Sequence, residues 1–297
     1  MNGILCINKP QDFTSFDVVA KLRGILGMKR LGHAGTLDPM ATGVLPVFVG
    51  NATKACDIMP DNSKSYSAGF RLGQTTDTQD ITGKILTTSD KCISENDINK
   101  ILPDFTGKIM QLPPMYSAVQ VNGKRLYDLA RQGIEVERQP REIEVESISL
   151  VSYDEKIREG SISIACGKGT YIRTIIHDIG EKLGCGGIMT SLVRTSASGF
   201  TLKDCYTFEE VQKARDENNL ENLILPVERV FNSLPKLLLN EHQTRMYKNG
   251  VKLDLSRIHN IKIDCNLYTV YGSDGAFIGT ALAEHENGIL RVGKNLV

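Results

Sequence analysis

The sequence predicts an α+β fold that ends in a small β-rich domain, and two observations support this. Polar and apolar residues alternate at 64–72, 143–151 and 161–166, as expected of strands with one buried face. Apolar residues at helical spacing occur at 18–26 and 171–183, as expected of helices with one buried face. Because both kinds of segment are present in the first two thirds of the chain, we expect helices packed against a sheet.

The other elements of this part follow from apolar runs and capping residues. Apolar runs at 4–7 and 44–49 predict short buried strands. Residues 32–43 contain three glycines and a proline and are predicted as a loop. Residues with side-chain hydroxyls stand at the predicted starts of three helices, namely Thr14, Ser94 and Thr207.

We expect two domains, at residues 1–232 and 233–297. A polar stretch at 215–222 and Pro235 suggest a boundary near residue 233. Short strand patterns separated by glycines follow it, at 267–271, 277–283 and 289–292. Within the first domain, residues 109–142 combine consecutive prolines, glycines and mixed charge. We call them the insertion and expect them to leave the core.

Composition excludes several classes of protein. Lysine plus arginine and aspartate plus glutamate number 35 each, and this zero net charge counts against a non-specific nucleic-acid binder. It still allows a locally basic cleft. The seven cysteines include no CxxC pair, which predicts free thiols in a reducing cytosol rather than disulfides or a zinc site. Because the sequence lacks the pattern of a signal peptide and any long apolar stretch, we expect a cytoplasmic protein without a membrane segment.

The most informative segment is GHAGTLDPMATGVLP at residues 32–46. Asp38 lies in it between Leu37 and Pro39, and the proline disfavours helical backbone at Asp38. The glycines allow a ligand or another chain to approach closely. A carboxylate on such a loop can act as a nucleophile or a general base. Taken alone, the pattern equally fits a turn aspartate that accepts bonds from nearby backbone amides.

Five segments, in order along the chain, resemble the tRNA pseudouridine synthase B family and extend over most of residues 3–200. They are GILCINKP at 3–10, GHAGTLDPMATGVLP at 32–46, KSYSAGFRLGQTTDTQDITG at 64–83, PPMYSAVQVNGKRLYDLARQGIEV at 113–136 and GKGTYIRTIIHDIGEKLGCGG at 167–187. The resemblance implies the pseudouridine synthase fold, which has a mixed, mostly antiparallel central sheet, with the insertion clamping RNA. The C-terminal part loosely resembles the family's PUA-like RNA-binding domain.

The resemblance also implies an activity, the isomerisation of uridine 55 in the T loop of tRNA to pseudouridine. The N1–C1′ bond of the uridine breaks, the base rotates, and C5 joins C1′. Because no atom enters or leaves, we expect no cofactor and no metal. The target nucleotide must be flipped out of its stack. The expected partner is therefore tRNA, bound by a monomer that needs no other protein.

By resemblance, three residues form the expected catalytic set. Asp38 is the catalytic carboxylate, Tyr66 stacks against the flipped base, and Arg173 pairs with Asp38 and keeps it ionised. On spacing alone, Tyr66 also fits a core tyrosine of an alternating strand. Arg173, about 100° from the centre of the apolar helix face, also fits a surface arginine.

Further residues are expected to bind the substrate. By resemblance, Tyr171 and Leu192 line the pocket, His33 inserts into the T loop, and Lys9 supports the active-site loop. Plain core packing would also explain Tyr171 and Leu192, and a solvated lysine is the usual case for Lys9. Met40 replaces the leucine that is more usual in the family, a change that removes no chemical group.

In the insertion, Lys124 and Arg125 are the expected RNA contacts, since basic groups bind phosphates. Charge alone also fits a solvated, mixed-charge segment. Two other functions are compatible with the sequence, a non-catalytic tRNA-binding or folding factor and a synthase that acts on another RNA. A glycoside hydrolase with an aspartyl nucleophile is a further alternative, although it usually needs a second carboxylate.

Overall fold

The computed structural model describes residues 1–296, which form six α-helices and 18 strands. The helices are α1 (Ser15–Leu26), α2 (Glu95–Ile101), α3 (Leu126–Ala130), α4 (Ile172–Leu183), α5 (Phe208–Asp216) and α6 (Glu241–Lys248). The strands up to residue 125 are β1 (Gly3–Lys9), β2 (Leu31–His33), β3 (Thr42–Val49), β4 (Lys64–Leu72), β5 (Gln74–Thr76), β6 (Ile85–Thr88), β7 (Gly107–Gln111), β8 (Gln120–Val121) and β9 (Lys124–Arg125). The later strands are β10 (Arg141–Asp154), β11 (Glu159–Cys166), β12 (Gly187–Ala197), β13 (Phe200–Thr201), β14 (Lys236–Leu238), β15 (Leu253–Asp254), β16 (Leu267–Tyr271), β17 (Phe277–Glu284) and β18 (Ile289–Asn295).

The chain forms two compact units, each with its own helices and strands. Unit 1 contains residues 1–39, 44–62 and 198 onward, and unit 2 contains residues 40–43 and 63–197. This grouping differs from the division expected from the sequence. The domain boundary at 232/233 therefore stays a prediction.

A mixed, mostly antiparallel sheet forms the centre of unit 2. Its strands lie in the order β12-β4-β11-β10-β7, and every neighbouring pair is antiparallel. Thr42 and Gly43, the first residues of β3, pair in parallel with Val193 and Arg194 of β12. The alternation that predicts β4 matches its burial, since every second side chain is buried, namely Tyr66, Ala68, Phe70 and Leu72.

Helix α4 packs against β12, and two glycines allow the close approach. A Cβ atom on Gly180 would lie 2.2 Å from the backbone nitrogen of Gly187. A Cβ atom on Gly187 would lie 2.8 Å from the carbonyl oxygen of Ile176. A larger residue at either position would force the helix and the strand apart. The glycines therefore fix the position of α4, and with it the position of Arg173, relative to the sheet.

In unit 1, helices α1 and α5 share an apolar cluster with β1, β2 and β3. Its members are Leu5, Ile7, Val18, Val19, Leu22, Ile25, Leu26, Leu31, Leu45, Val47, Val49, Phe208 and Val211. Helix α1 begins at a capping box, in which Thr14 and Asp17 bond each other's backbone N–H. The Thr14 hydroxyl and N–H donate to Asp17 and hold the pKa of that carboxyl below its ordinary value. The capping box therefore stabilises the start of α1. Ser15, the first residue of this helix, contacts the loop that carries Asp38.

The C-terminal part of unit 1 is β-rich, as predicted. Its strands form a five-stranded sheet in the order β14-β16-β17-β18-β15. The sheet has its own apolar cluster, to which Leu237, Tyr268 and Leu290 belong. Helix α6 packs on this cluster through Tyr247, whose hydroxyl donates to the Thr280 carbonyl at 2.8 Å.

The predicted fold class is confirmed: an α+β protein with a mixed, mostly antiparallel sheet and a β-rich C-terminal part. Some local predictions were wrong. The loop predicted at 32–43 begins within β2, whose residues pair with 47–49. Because β7 extends to Gln111 and β10 starts at Arg141, only residues 112–140 of the insertion leave the sheet. Within residues 1–296, no helix combines the length and the apolar character that a membrane span requires.

Candidate active site

Asp38 lies on a loop that is held by hydrogen bonds on both of its sides. Before it, the N–H of Leu37 donates to the Ser15 hydroxyl at 2.8 Å, and this hydroxyl donates to the Leu37 carbonyl at 3.3 Å. After it, the Pro39 carbonyl accepts from the Lys9 ammonium at 3.1 Å. Leu37 is buried, whereas Asp38 is half-buried. The loop therefore presents its carboxylate from a backbone that is fixed on either side.

Lys9 is a fully buried cation that organises the backbone around this loop. Its ammonium donates to the carbonyls of Pro10, Phe13 and Pro39. Removing a charge from water is costly unless such partners replace the water. The Pro39 carbonyl also accepts from the N–H of Asp12 at 2.9 Å. Lys9 thus joins the end of β1 to the residue that follows Asp38, and its expected role in supporting the active-site loop stays a prediction.

Tyr66 and Leu192 lie on one face of two adjacent strands in unit 2. Tyr66 of β4 pairs with Arg194 of β12, and Leu192 pairs with Ala68, two residues further along β4. Side chains that are directly opposite in an antiparallel pair share a face of the sheet. Tyr66 and Leu192 are each 7% exposed. The structure brings these two predicted residues together and adds the fully buried Arg194, which the sequence did not indicate as a site residue.

Arg173 lies in the first turn of α4 and is 5% exposed, which excludes the interpretation as a surface arginine. Its guanidinium donates to the carbonyls of Thr78 and Tyr116, both at 2.9 Å. Its Nε lies 3.9 Å from Oδ2 of Asp80. The side chain is therefore held in one orientation by two segments of unit 2, one around Thr78 and Asp80 and one at Tyr116. The expected pairing of Arg173 with Asp38 stays a prediction.

Asp80 is a buried partner of Arg173 that the sequence did not indicate. It accepts from the Thr78 hydroxyl at 2.7 Å, the Thr82 hydroxyl at 2.6 Å and the Thr82 N–H at 3.0 Å. Gln79, beside it, has a positive φ of 63° and accepts from the Thr174 hydroxyl of α4 at 2.8 Å. Threonines two positions before and after an aspartate favour a turn in which the carboxylate accepts their hydrogen bonds. This spacing in the sequence could have indicated Asp80 as a turn residue.

Tyr171 occupies the N-cap position of α4, without a side-chain capping bond, and is half-buried. The side chain of Gln111 bonds both polar groups of its backbone. Oε1 of Gln111 accepts from the Tyr171 N–H at 2.9 Å, and Nε2 donates to the Tyr171 carbonyl at 3.0 Å. The structure therefore places two predicted residues, Tyr171 and Arg173, at one secured helix start.

The remaining predicted residues lie in two other places. His33 is half-buried at the end of β2 in unit 1. Lys124 and Arg125 are exposed on β9, which forms a hairpin with β8 in the insertion. Arg125 donates to the Tyr127 hydroxyl at 2.8 Å, and the Arg131 guanidinium lies 5.5 Å from the centre of the same ring. Exposed cations beside an aromatic ring suit contact with phosphates and stacking of bases.

Burial makes at least two of the cysteines poor candidates for a nucleophile. The seven cysteines are free thiols. Burial raises the pKa of Cys56 to about 11 and also raises the pKa of Cys166. Such thiols stay protonated near neutral pH and are weak nucleophiles. Among residues 1–296, no group of three or more histidine, cysteine, aspartate or glutamate side chains is arranged to hold a metal ion.

Comparison with known proteins identifies the family. The model for the N-terminal domain of TruB family pseudouridylate synthases matches residues 23–172, and the model for the tRNA pseudouridylate synthase B C-terminal domain matches residues 173–232. Two curated relatives are each named tRNA pseudouridine synthase B. The relative from Clostridium kluyveri is 42% identical over 95% of this chain and 96% of its own. The relative from Dehalococcoides mccartyi is 44% identical over 94% of this chain and 91% of its own.

Solved structures share the fold of this chain. A chain in the crystal structure of a Cbf5-Nop10-Gar1 complex is 26% identical, with a TM-score of 0.73 over 95% of this chain and 78% of that chain. A chain in the structure of an H/ACA RNP bound to a substrate RNA containing 2′-deoxyuridine shares the fold at 23% identity, with a TM-score of 0.75 over 99% of this chain and 85% of that chain. As the five sequence segments predict, this chain belongs to the TruB family of pseudouridylate synthases.

Proposed function

We propose that this protein is a tRNA pseudouridine synthase that isomerises uridine 55 of the T loop, with Asp38 as its catalytic carboxylate. The observation that carries the proposal is the Asp38 loop, where a half-buried carboxylate stands between two anchored backbone positions. This loop lies within the residues that the family model matches. The curated relatives carry the name tRNA pseudouridine synthase B, which supports tRNA as the substrate.

The reaction exchanges one bond to the ribose for another. The N1–C1′ bond breaks, C1′ bonds to C5, the proton on C5 leaves, and N1 takes up a proton. Asp38 can attack C1′, attack the uracil ring, or remove a ribose proton, and each route needs an ionised carboxylate in a fixed position. Arg173 is proposed to pair with Asp38 and to orient its carboxylate.

The uridine must leave its stack before this chemistry can occur. A flipped base needs a flat or apolar surface, and Tyr66 and Leu192 offer one on adjacent strands. The Tyr66 hydroxyl can also accept or relay the C5 proton. His33 is proposed to take space in the T loop that the flipped nucleotide leaves.

Lys124 and Arg125 are proposed to contact the tRNA backbone. We expect the double variant Lys124→Ala/Arg125→Ala to bind unmodified tRNA more weakly, and the slope of log Kd against log salt to fall by about two. At saturating tRNA, kcat should stay close to that of the wild type. Binding titrations at several salt concentrations measure this. Lys213→Ala removes one exposed positive charge from helix α5, outside the insertion, and serves as a control that should leave the slope unchanged. An unchanged slope in the double variant would remove Lys124 and Arg125 from the interface.

Lys9 is proposed to act on catalysis through the loop rather than through the substrate. We expect Lys9→Met to lower kcat on the order of 10- to 100-fold, because a small displacement of a reacting group has effects of this size. The affinity for tRNA should change little, since Lys9 is fully buried. Single-turnover rates and tRNA binding, measured on the same preparation, separate these effects. A loss of affinity with an unchanged rate would contradict the assigned role.

A position-resolved assay tests the proposed function directly. The protein is mixed with an unmodified tRNA transcript, without added metal or nucleotide, and the positions of pseudouridine in the transcript are mapped. We expect modification at uridine 55 and none in a matched transcript with cytidine at that position. Modification elsewhere, with the T loop untouched, would keep the reaction class and reject the substrate. Binding without any modification would favour the non-catalytic alternative.

A further inference from the structure

Gln111 is a buried side chain that neither the sequence pattern nor the proposed reaction explains. It is 2% exposed and lies at the end of β7, the last sheet residue before the insertion leaves the core. Its backbone pairs with Arg141, the first residue of β10. The side chain is therefore anchored in the sheet, at the point where both ends of the insertion meet.

Both polar atoms of the Gln111 amide bond the backbone at the start of α4. Oε1 accepts from the Tyr171 N–H at 2.9 Å, and Nε2 donates to the Tyr171 carbonyl at 3.0 Å. Tyr171 supplies no side-chain cap to this helix. Its carbonyl also accepts the first helical bond, from Ile175 at 3.1 Å. The Gln111 side chain, which belongs to a distant strand, thus holds the backbone at the start of α4. In most helices a capping residue of the helix itself has this role.

A second bond from the same segment reaches Arg173. Two prolines, Pro113 and Pro114, separate Gln111 from Tyr116 and restrict the backbone between them. The Tyr116 carbonyl accepts from the Arg173 guanidinium at 2.9 Å. The base of the insertion therefore holds Tyr171 by its backbone and Arg173 by its side chain, two residues further along the same helix.

We propose that Gln111 is a positioning residue for catalysis, which sets the places of Tyr171 and Arg173 in the site and ties them to the base of the insertion. The proposal rests on the proposed function, because both residues are assigned there to the site. Gln111 is buried and its amide bonds the backbone of Tyr171, so it acts through Tyr171 and Arg173 and not on the uridine. Its loss should slow the chemical step more than it weakens tRNA binding.

The first test replaces the amide while keeping its volume. We expect Gln111→Met to lower kcat on the order of 10- to 100-fold, as a displaced reacting group does, with KM changed by less than about threefold. Gln111→Glu keeps an acceptor for the Tyr171 N–H but loses the donor to the carbonyl, so it should also lower kcat. The control is Val211→Ala, a truncation in the unit 1 core. It should lower the melting temperature while leaving kcat unchanged at a temperature where the protein is folded.

The second test asks whether Gln111 acts through Arg173. Two residues that act as one unit give non-additive effects in a double-mutant cycle. In an Arg173→Lys background, Gln111→Met should therefore lower kcat by less than about threefold further. Fully multiplied effects would overturn the proposal, as would a wild-type kcat in both Gln111 variants or an effect confined to KM. All of these outcomes are read against an active wild type, so they are distinct from failure of the proposed function, in which the wild type itself forms no pseudouridine.

Discussion

Asp38→Asn is expected to lower kcat for pseudouridine formation on the order of 10⁴-fold or more, as the loss of an essential nucleophile or base does in other enzymes. Asparagine has the same shape, but it is uncharged and can neither attack carbon nor take a proton. The bonds that hold the loop go to the backbone of Leu37 and Pro39, so the fold should be unaffected. Single-turnover rates with saturating tRNA, together with thermal unfolding, provide the measurement.

The matched control is Asp12→Asn, which removes a nearby charge. Asp12 is exposed, and its backbone N–H, which the substitution keeps, donates to the Pro39 carbonyl. We expect this variant to retain both the rate and the affinity of the wild type. If Asp38→Asn also retained the wild-type rate, the catalytic carboxylate would have to be sought elsewhere in the chain.

Arg173→Met is expected to have the second largest effect, and it should act on stability as well as on activity. The substitution leaves Asp80, 6% exposed, without its buried cation, and the carbonyls of Thr78 and Tyr116 lose their donor. Removing one partner of a buried pair costs about 3–5 kcal/mol. The free energy of unfolding, measured in urea, should fall by about this amount. At temperatures where the protein is folded, kcat should fall on the order of 100-fold or more.

A compensating variant separates the two effects of this substitution. Arg173→Met/Asp80→Asn removes both charges, so it should recover part of the lost stability. It should not recover the rate, because Arg173 is proposed to serve the carboxylate of Asp38. A double variant with wild-type kcat would mean that Arg173 is needed only for folding.

Local signals in the sequence were sufficient for much of the fold. Capping boxes at Thr14, Ser94 and Thr207 all form, since each depends only on residues within one helical turn. Strand β4 was predicted because one of its faces is buried and the other is not. A similar box, between Asn240 and Gln243, opens α6 and could have predicted that helix.

Strand β12 could not be predicted in this way. It carries irregular register near Met189 and again near Arg194, and each shift interrupts the alternation of its side chains. The burial along the strand accordingly follows no simple period. Its place in the sheet is set by pairing with β4, and pairing between distant segments leaves no local pattern.

The site residues also divide into those that the sequence indicated and those that depend on contacts between distant segments. The resemblance of five segments indicated Asp38, Tyr66 and Arg173, whereas Asp80 and Gln111 were missed. Gln111 bonds Tyr171, which lies 60 residues away in the chain. The bonds go to backbone atoms, which every residue has, so the type of the residue at position 171 gives no sign of them. Residues that hold a site through long-range contacts with backbone become visible only once the chain is folded.

The account depends on the Asp38 carboxylate being held against a flipped-out uridine. The most direct measurement is a crystal structure of the Asp38→Asn variant with an unmodified T-arm stem-loop. We expect uridine 55 outside its stack with its ring against Tyr66, and its ribose or its uracil ring within about 4 Å of the side chain at position 38, as a reacting pair requires. A uridine that stays stacked in the loop, or a different nucleotide facing position 38, would contradict the account.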